Sequence, residues 1–132
     1  MNTDAPERQM PTILVVDDEP QVLDLTKKIL VKNGYTVLGA ARPSEAIEIA
    51  SQSPVHLLLT DVGLPEMDVF DMKRRIKEDQ PGIKTIYMTG SSEETIDAEK
   101  EPEMRRHKGN FLLKPFAMQA LVLKIEEILG VQ

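Results

Sequence analysis

Four short apolar runs, each followed by residues able to do chemistry, most constrain how this chain can fold. Residues 13–16 precede Asp17 and Asp18, and residues 57–60 precede Asp61. Residues 86–88 precede Thr89, and residues 111–113 precede Lys114. Continuous apolar runs are typical of strands that are covered on both faces of a sheet. Between the runs lie stretches long enough for the helical crossovers that parallel strands require. The pattern therefore predicts an α/β fold built on a buried parallel sheet.

Helices are predicted between the strands from apolar residues at helical spacing. Predicted strands are 12–16, 36–40, 56–60, 84–88 and 111–113, and predicted helices are about 20–32, 43–52, 69–79 and 117–129. Val22, Leu25 and Ile29 are the predicted inward face of the first helix. Residues 91–108 are rich in glutamate and contain Pro102, so a helix there is expected to be short, broken or mobile. Residues 1–11 are expected to form a disordered tail, which leaves 12–132 as a single domain.

Composition and charge exclude several classes of function. The chain has no cysteine, which excludes disulfides, thiolate metal sites and thiol catalysis. No apolar run approaches the roughly 20 residues of a membrane helix, and the polar start lacks a signal peptide, so we expect a cytoplasmic protein with no membrane contact. A net charge of −6 argues against direct nucleic-acid binding.

Three acids, a hydroxyl and an amine are predicted to share one edge of the sheet, because ligands of such sheets bind at the carboxyl ends of the strands. Asp17, Asp18 and Asp61 would repel one another there, and a divalent cation would offset that repulsion. Oxygen ligands of this kind suit Mg²⁺. A carboxylate can also attack phosphorus, a reaction that needs alignment and charge stabilisation. Asp18 and Asp61 could hold the metal, Thr89 could donate to a phosphoryl oxygen, and Lys114 could pair with its charge.

Each of these residues also has an ordinary structural interpretation. Asp17 and Asp18 precede a helix that begins with proline and could act as its cap. Asp61 could start a turn, Thr89 could cap a following helix, and Lys114 could protect a sheet edge from aggregation. Their occurrence in order at successive strand ends favours a shared site.

With these motifs in place, the chain resembles the receiver domains of two-component response regulators, in the stand-alone, chemotaxis-regulator-like form. The resemblance covers about residues 11–130 and is carried by ILVVDDEP at 13–20, LLTDVGLPEMD at 58–68, YMTG at 87–90 and FLLKPF at 111–116. It implies a doubly wound, five-stranded parallel sheet of order 2-1-3-4-5, which is a flavodoxin-like three-layer sandwich with five helices.

The resemblance also implies the roles of the acids. Asp61 matches the phosphoacceptor. Asp18 matches a direct Mg²⁺ ligand, and Asp17 matches one that acts mainly through water. Gly63 matches the position whose backbone carbonyl reaches the metal. The phosphoryl donor would be a sensor histidine kinase or a histidine phosphotransfer protein.

The remaining matched residues would transmit the signal. Thr89 matches the hydroxyl that binds the phosphoryl group, and Phe111 matches the aromatic switch that turns inward when Thr89 moves. Lys114 matches the family's lysine, whose bond to Pro115 is cis in the family. The family's fourth helix, fifth strand and fifth helix form the surface that signals to a downstream protein, unidentified for this chain. A monomer or weak dimer is expected, without enzymatic turnover of an external substrate.

Two departures from the family pattern keep alternatives open. Val69 stands where the family commonly has glycine, and a β-branched residue resists a positive φ. The predicted fourth helix lacks the usual alanine-rich sequence. Both motivate the alternative of a phosphorylation-independent adaptor. A third class, an aspartate-nucleophile phosphatase, usually carries a cap domain for which this chain has no spare length.

Overall fold

Strands and helices alternate along the chain, as the sequence predicts. The structure is a computed structural model and describes residues 10–89, 110–114 and 116–130. Its elements are β1 Thr12–Val16, α1 Pro20–Lys32, β2 Thr36–Ala40, α2 Pro43–Gln52, β3 Leu57–Asp61, α3 Val69–Asp79, β4 Lys84–Thr89, β5 Phe111–Leu113 and α4 Met118–Leu129. The predicted fourth helix and residues 1–9 of the predicted tail lie outside the described residues, so the predicted fifth helix is α4 here.

The sheet is parallel and has the strand order β2-β1-β3-β4-β5, which confirms the doubly wound topology. Its register aligns Val16, Thr60, Tyr87 and Phe111 side by side across four strands. Residues just after this row therefore share one edge of the sheet. Asp61 belongs to β3 itself, one residue beyond the predicted end of that strand.

Both faces of the sheet are covered, which explains the continuous apolar runs. Alternate strand residues point to opposite faces. One core contains Leu14, Leu58 and Tyr87 together with apolar residues of α2 and α3. The other contains Val15 and Leu59 together with residues of α1 and α4.

The inward face predicted for α1 is wrong at Leu25, whose surface is 53% exposed. Thr26 and Leu30 are the buried residues of this helix. Its apolar residues fall on two overlapping stripes, and helical spacing alone does not select between them. The predicted stripe of α3 is confirmed, since Val69, Met72 and Ile76 are all buried. In the described part of the chain, every helix is too short or too polar to cross a bilayer.

Candidate functional site

The three predicted acids converge at the carboxyl edge of the sheet. One carboxylate oxygen from each of Asp17, Asp18 and Asp61 lies within 4.8 Å of the others. Asp17 is fully buried directly after β1, and its amide donates to the carbonyl of Ala40 on β2 (3.1 Å). Its carboxylate also accepts a hydrogen bond from the amide of Glu19 (3.0 Å). Asp18 is exposed and Asp61 is half-buried, so the cluster opens towards solvent.

Lys114 points into this cluster. Its ammonium nitrogen lies 3.2 Å from Oδ2 of Asp17 and 3.6 Å from Oδ1 of Asp61. Only 19% of its side chain is exposed. The alternative of a solvent-facing edge charge is therefore wrong, and Lys114 is the counter-charge of two acids. The next residue, Pro115, lies outside the described residues.

The charges in this cluster are unevenly balanced. Burial raises the pKa of the Asp61 carboxyl, the nearby ammonium of Lys114 opposes the rise, and the carboxylate of Asp17 adds to it. Burial alone would lower the pKa of Lys114, but the carboxylates of Asp61 and Asp17 together leave that pKa raised. Lys114 is thus charged at neutral pH, whereas burial and the Asp17 carboxylate together outweigh the stabilisation that Lys114 gives to ionised Asp61.

The donor set fits Mg²⁺, because it consists of hard carboxylate oxygens close together and open to water on one side. Burial raises the pKa of the Asp61 carboxyl, and a cation bound beside it would favour the charged form. Gly63 lies nearby in the loop after β3. A side chain built on Gly63 would meet no described atom within 4 Å, so the described part of the chain leaves the space beside its Cα open.

Thr89 and Phe111 lie on β4 and β5, the two strands that follow β3 in the order of the sheet. Thr89 ends β4 and is nearly buried, and its carbonyl accepts a 2.7 Å hydrogen bond from the amide of Lys114. Phe111 stacks on the buried ring of Tyr87, with ring centroids 5.0 Å apart. Tyr87 in turn contacts Phe70 of α3 at 5.2 Å between centroids. The rings of Phe111, Tyr87 and Phe70 therefore form a row of contacts from β5 through β4 to α3.

Val69 does not need the glycine conformation that its position in the family pattern suggested. It is the first residue of α3, and Asp68 caps that helix by accepting hydrogen bonds from the amides of Phe70 (2.7 Å) and Asp71 (3.3 Å). Among the described residues, the only non-glycine with a positive φ is Glu66, at +74°. Sequence reasoning assigned no role to Glu66, and its local sequence carries no signal for the contacts described below.

Comparison with known proteins decides the family. Residues 13–126 match the response regulator receiver domain. The chain belongs to this family. It is a two-component receiver domain with the flavodoxin-like fold that the family shares.

Several relatives resemble this receiver over most of its length. The response regulator receiver protein CpdR of Brucella abortus (strain 2308) is 32% identical over 120 residues, which cover 91% of this receiver and 98% of CpdR. The sensor kinase CckA of the same strain is 33% identical over 123 residues, but these are 92% of this receiver and only 13% of CckA. A CheY-like receiver domain protein from Methanospirillum hungatei JF-1 superposes with a TM-score of 0.79 at 30% identity, covering 92% of this receiver and 94% of that chain.

Proposed function

We propose that this receiver accepts a phosphoryl group on Asp61 and that the modification changes a signalling surface of the same domain. The observation that carries the proposal is the contact of Lys114 with both Asp17 and Asp61 at the edge where Asp18 also lies. One ammonium contacts two of the three carboxylates that meet there. Such a site favours a further cation and, with it, the negative charge of a phosphoryl group.

The phosphoryl donor would be a phosphohistidine of a sensor histidine kinase or of a histidine phosphotransfer protein. An oxygen of Asp61 would attack the phosphorus, so that a P–O bond forms while the P–N bond breaks and the imidazole leaves with the bonding electrons. The likeness to a segment of the sensor kinase CckA supports a place in such a phosphotransfer chain.

Asp17, Asp18, Asp61 and the carbonyl of Gly63 would hold Mg²⁺. When bound, this ion supplies positive charge to the carboxylates and to the phosphoryl oxygens. The ammonium of Lys114, already 3.6 Å from Asp61, is within reach of a phosphoryl group carried by that residue.

The hydroxyl of Thr89 would donate to another phosphoryl oxygen and transmit the change to the surface. Thr89 is joined to the end of β5 by the 2.7 Å bond from the amide of Lys114. Phe111 begins β5, and its ring stacks on Tyr87 of β4. A shift of Thr89 can therefore change the position of the Phe111 ring. The signalling surface would comprise the segment after β4, strand β5 and helix α4. We expect the chemistry to end with self-phosphorylation and hydrolysis, without turnover of an external substrate.

The test is a titration with Mg²⁺ and beryllofluoride, which mimics a phosphoryl group, followed by amide NMR spectra. We expect the signals of Asp61, Thr89 and Phe111 to move in the wild type and to stay unchanged in Asp61→Asn. An unresponsive wild type would refute the proposal. Partner binding that is identical in wild type and Asp61→Asn under phosphorylating conditions would favour the adaptor instead.

A further inference from the structure

Glu66 adopts a backbone conformation that side chains normally avoid. Its φ of +74° lies in the left-handed region, where a Cβ atom crowds the following carbonyl oxygen. Glycine would meet no such penalty. At this place in the loop between β3 and α3, we expect the cost of the positive φ to be offset by an interaction of the glutamate side chain that glycine could not make.

That interaction is a cap on a different helix. One carboxylate oxygen of Glu66 accepts a hydrogen bond from the Ser44 amide (3.0 Å), and the other accepts one from the Ser44 hydroxyl (3.3 Å). Nε of Arg42 lies 4.0 Å from the same carboxylate. Ser44 stands in the first turn of α2, and the helix's own N-cap residue, Arg42, makes no side-chain cap. Glu66 thus supplies, from 22 residues along the chain, the acceptor that this helix end lacks.

The loop that carries Gly63 is consequently anchored at three points. The amide of Val62 donates to the carbonyl of Met88 (3.0 Å) at its start, and Asp68 caps α3 at its end. Glu66 ties the middle of the loop to α2. Gly63 lies between the anchors at Val62 and Glu66, so these two contacts limit the conformations that its backbone can adopt.

We propose that Glu66 is a positioning residue which, by capping α2 from the loop after the phosphoacceptor, fixes the backbone of Gly63 for metal binding. The inference rests on the proposed function, because it assigns a purpose to the geometry of that loop. It concerns a side chain that touches neither the metal nor the phosphoryl group.

The experiment compares three variants with the wild type by Mg²⁺ titration calorimetry and by amide hydrogen exchange. Glu66→Gly removes the cap and also relieves the positive φ, so loss of function cannot be blamed on backbone strain. Loss of an outer-shell partner typically costs about 10–100-fold in metal affinity. Glu66 is one contact further from the metal than such a partner, so we expect Mg²⁺ affinity to fall about three- to tenfold in Glu66→Gly. The Ser44 amide should exchange faster in the same variant.

Two further variants separate positioning from general helix stability. Glu66→Gln keeps an acceptor oxygen for the Ser44 amide and should restore Mg²⁺ affinity to near the wild-type value. Glu45→Ala removes another carboxylate contact at the same helix end, the 2.9 Å bond from the Ala41 amide, without touching the loop. It should speed exchange at Ala41 and leave Mg²⁺ affinity unchanged.

The outcomes distinguish the inference from the function beneath it. If the Ser44 amide exchanges faster in Glu66→Gly but the Mg²⁺ affinity is unchanged, the positioning role is overturned. An equal loss of affinity in Glu45→Ala would overturn it as well, because the cause would then be fraying of α2. A wild-type protein that fails to bind Mg²⁺ would refute the proposed function itself, and that failure is visible before any variant is made.

Discussion

The ammonium of Lys114 lies 3.2 Å from the fully buried carboxylate of Asp17, although 97 residues separate the two in the chain. The contact reaches from the end of β5 to the end of β1, past the two strands between them. A buried carboxylate left without a counter-charge is strongly destabilising. Lys114 is therefore the counter-charge that stabilises the buried carboxylate of Asp17.

Lys114→Ala should lower the free energy of unfolding at pH 7 without Mg²⁺ by about 1–3 kcal/mol. This is less than the roughly 3–5 kcal/mol for breaking a fully buried pair, because Lys114 keeps some contact with solvent. Urea unfolding measures the loss, and Mg²⁺ should restore part of it. Lys28→Ala is the matched control, since it breaks an exposed 3.1 Å pair with Asp24 and should cost at most about 0.5 kcal/mol. Equal losses in the two variants would contradict the role given to Lys114.

Asp61→Asn should stabilise the protein at pH 7 in the absence of Mg²⁺. Because burial raises the pKa of Asp61, the folded state binds this proton more tightly than the unfolded state does. Ionisation therefore destabilises the fold above the folded-state pKa, and the penalty fades as the pH falls through that pKa. The amide of asparagine carries no charge and avoids the penalty. Urea unfolding should show that the gain in stability of Asp61→Asn is smaller at acidic pH than at pH 7. Added Mg²⁺ should stabilise the wild type more than the variant. A variant less stable than the wild type at pH 7 without Mg²⁺ would count against this charge balance.

Glu66→Gln should be less stable than the wild type at neutral pH but not in acid. Hydrogen bonds from the Ser44 amide and hydroxyl, helped by the Arg42 guanidinium, lower the pKa of Glu66 below its ordinary value of 4.5. The charged carboxylate therefore stabilises the fold above pH 4.5, and this contribution is lost as the pH falls through the lowered folded-state pKa. Unfolding curves of both proteins across this range should converge at low pH. A constant difference would mean that charge is not the cause.

Gly63→Ala should leave the stability within about 0.5 kcal/mol of the wild type. The space beside Gly63 is open, and its φ is not positive. Gly34→Ala is the matched control, because Gly34 directly follows the C-cap residue of α1 and has a φ of +96°, where alanine should cost about 1 kcal/mol or more. Since the proposed ligand is a backbone carbonyl, Gly63→Ala should also keep Mg²⁺ binding. Thermal unfolding and calorimetry check the two expectations, and a strongly destabilised Gly63→Ala would show that the loop is tighter than described.

Phe111→Ala should destabilise the protein by about 1–3 kcal/mol, which is less than the roughly 3–5 kcal/mol typical of fully buried phenylalanine. The ring is only half-buried, but it stacks on Tyr87. Under the proposed function, Asp61 should still take up beryllofluoride, while the NMR response of α4 weakens. Phe111→Leu, which keeps most of the volume, should lose less stability and share the weakened response. A full α4 response in both variants would remove Phe111 from the signalling route.

Local sequence patterns were sufficient for the elements that the structure describes and for the sheet edge at which the three acids meet. The runs before Asp17, Asp61 and Thr89 predicted buried parallel strands, because a strand covered on both faces must be apolar along its whole length. The ends of those runs then located the polar residues at a shared edge. The same reasoning failed for Leu25, because α1 carries more apolar residues than its buried face can hold.

The sequence by itself therefore determined the alternation of the described strands and helices, the sheet edge where the polar groups meet, and which acids lie there. Only the tertiary structure decided that Lys114 pairs with Asp17 rather than facing solvent, and that Glu66 caps a helix 22 residues away. The physical reason is that strand and helix patterns arise from neighbours along the chain. Contacts between distant charges depend instead on how the crossovers bring separate elements together.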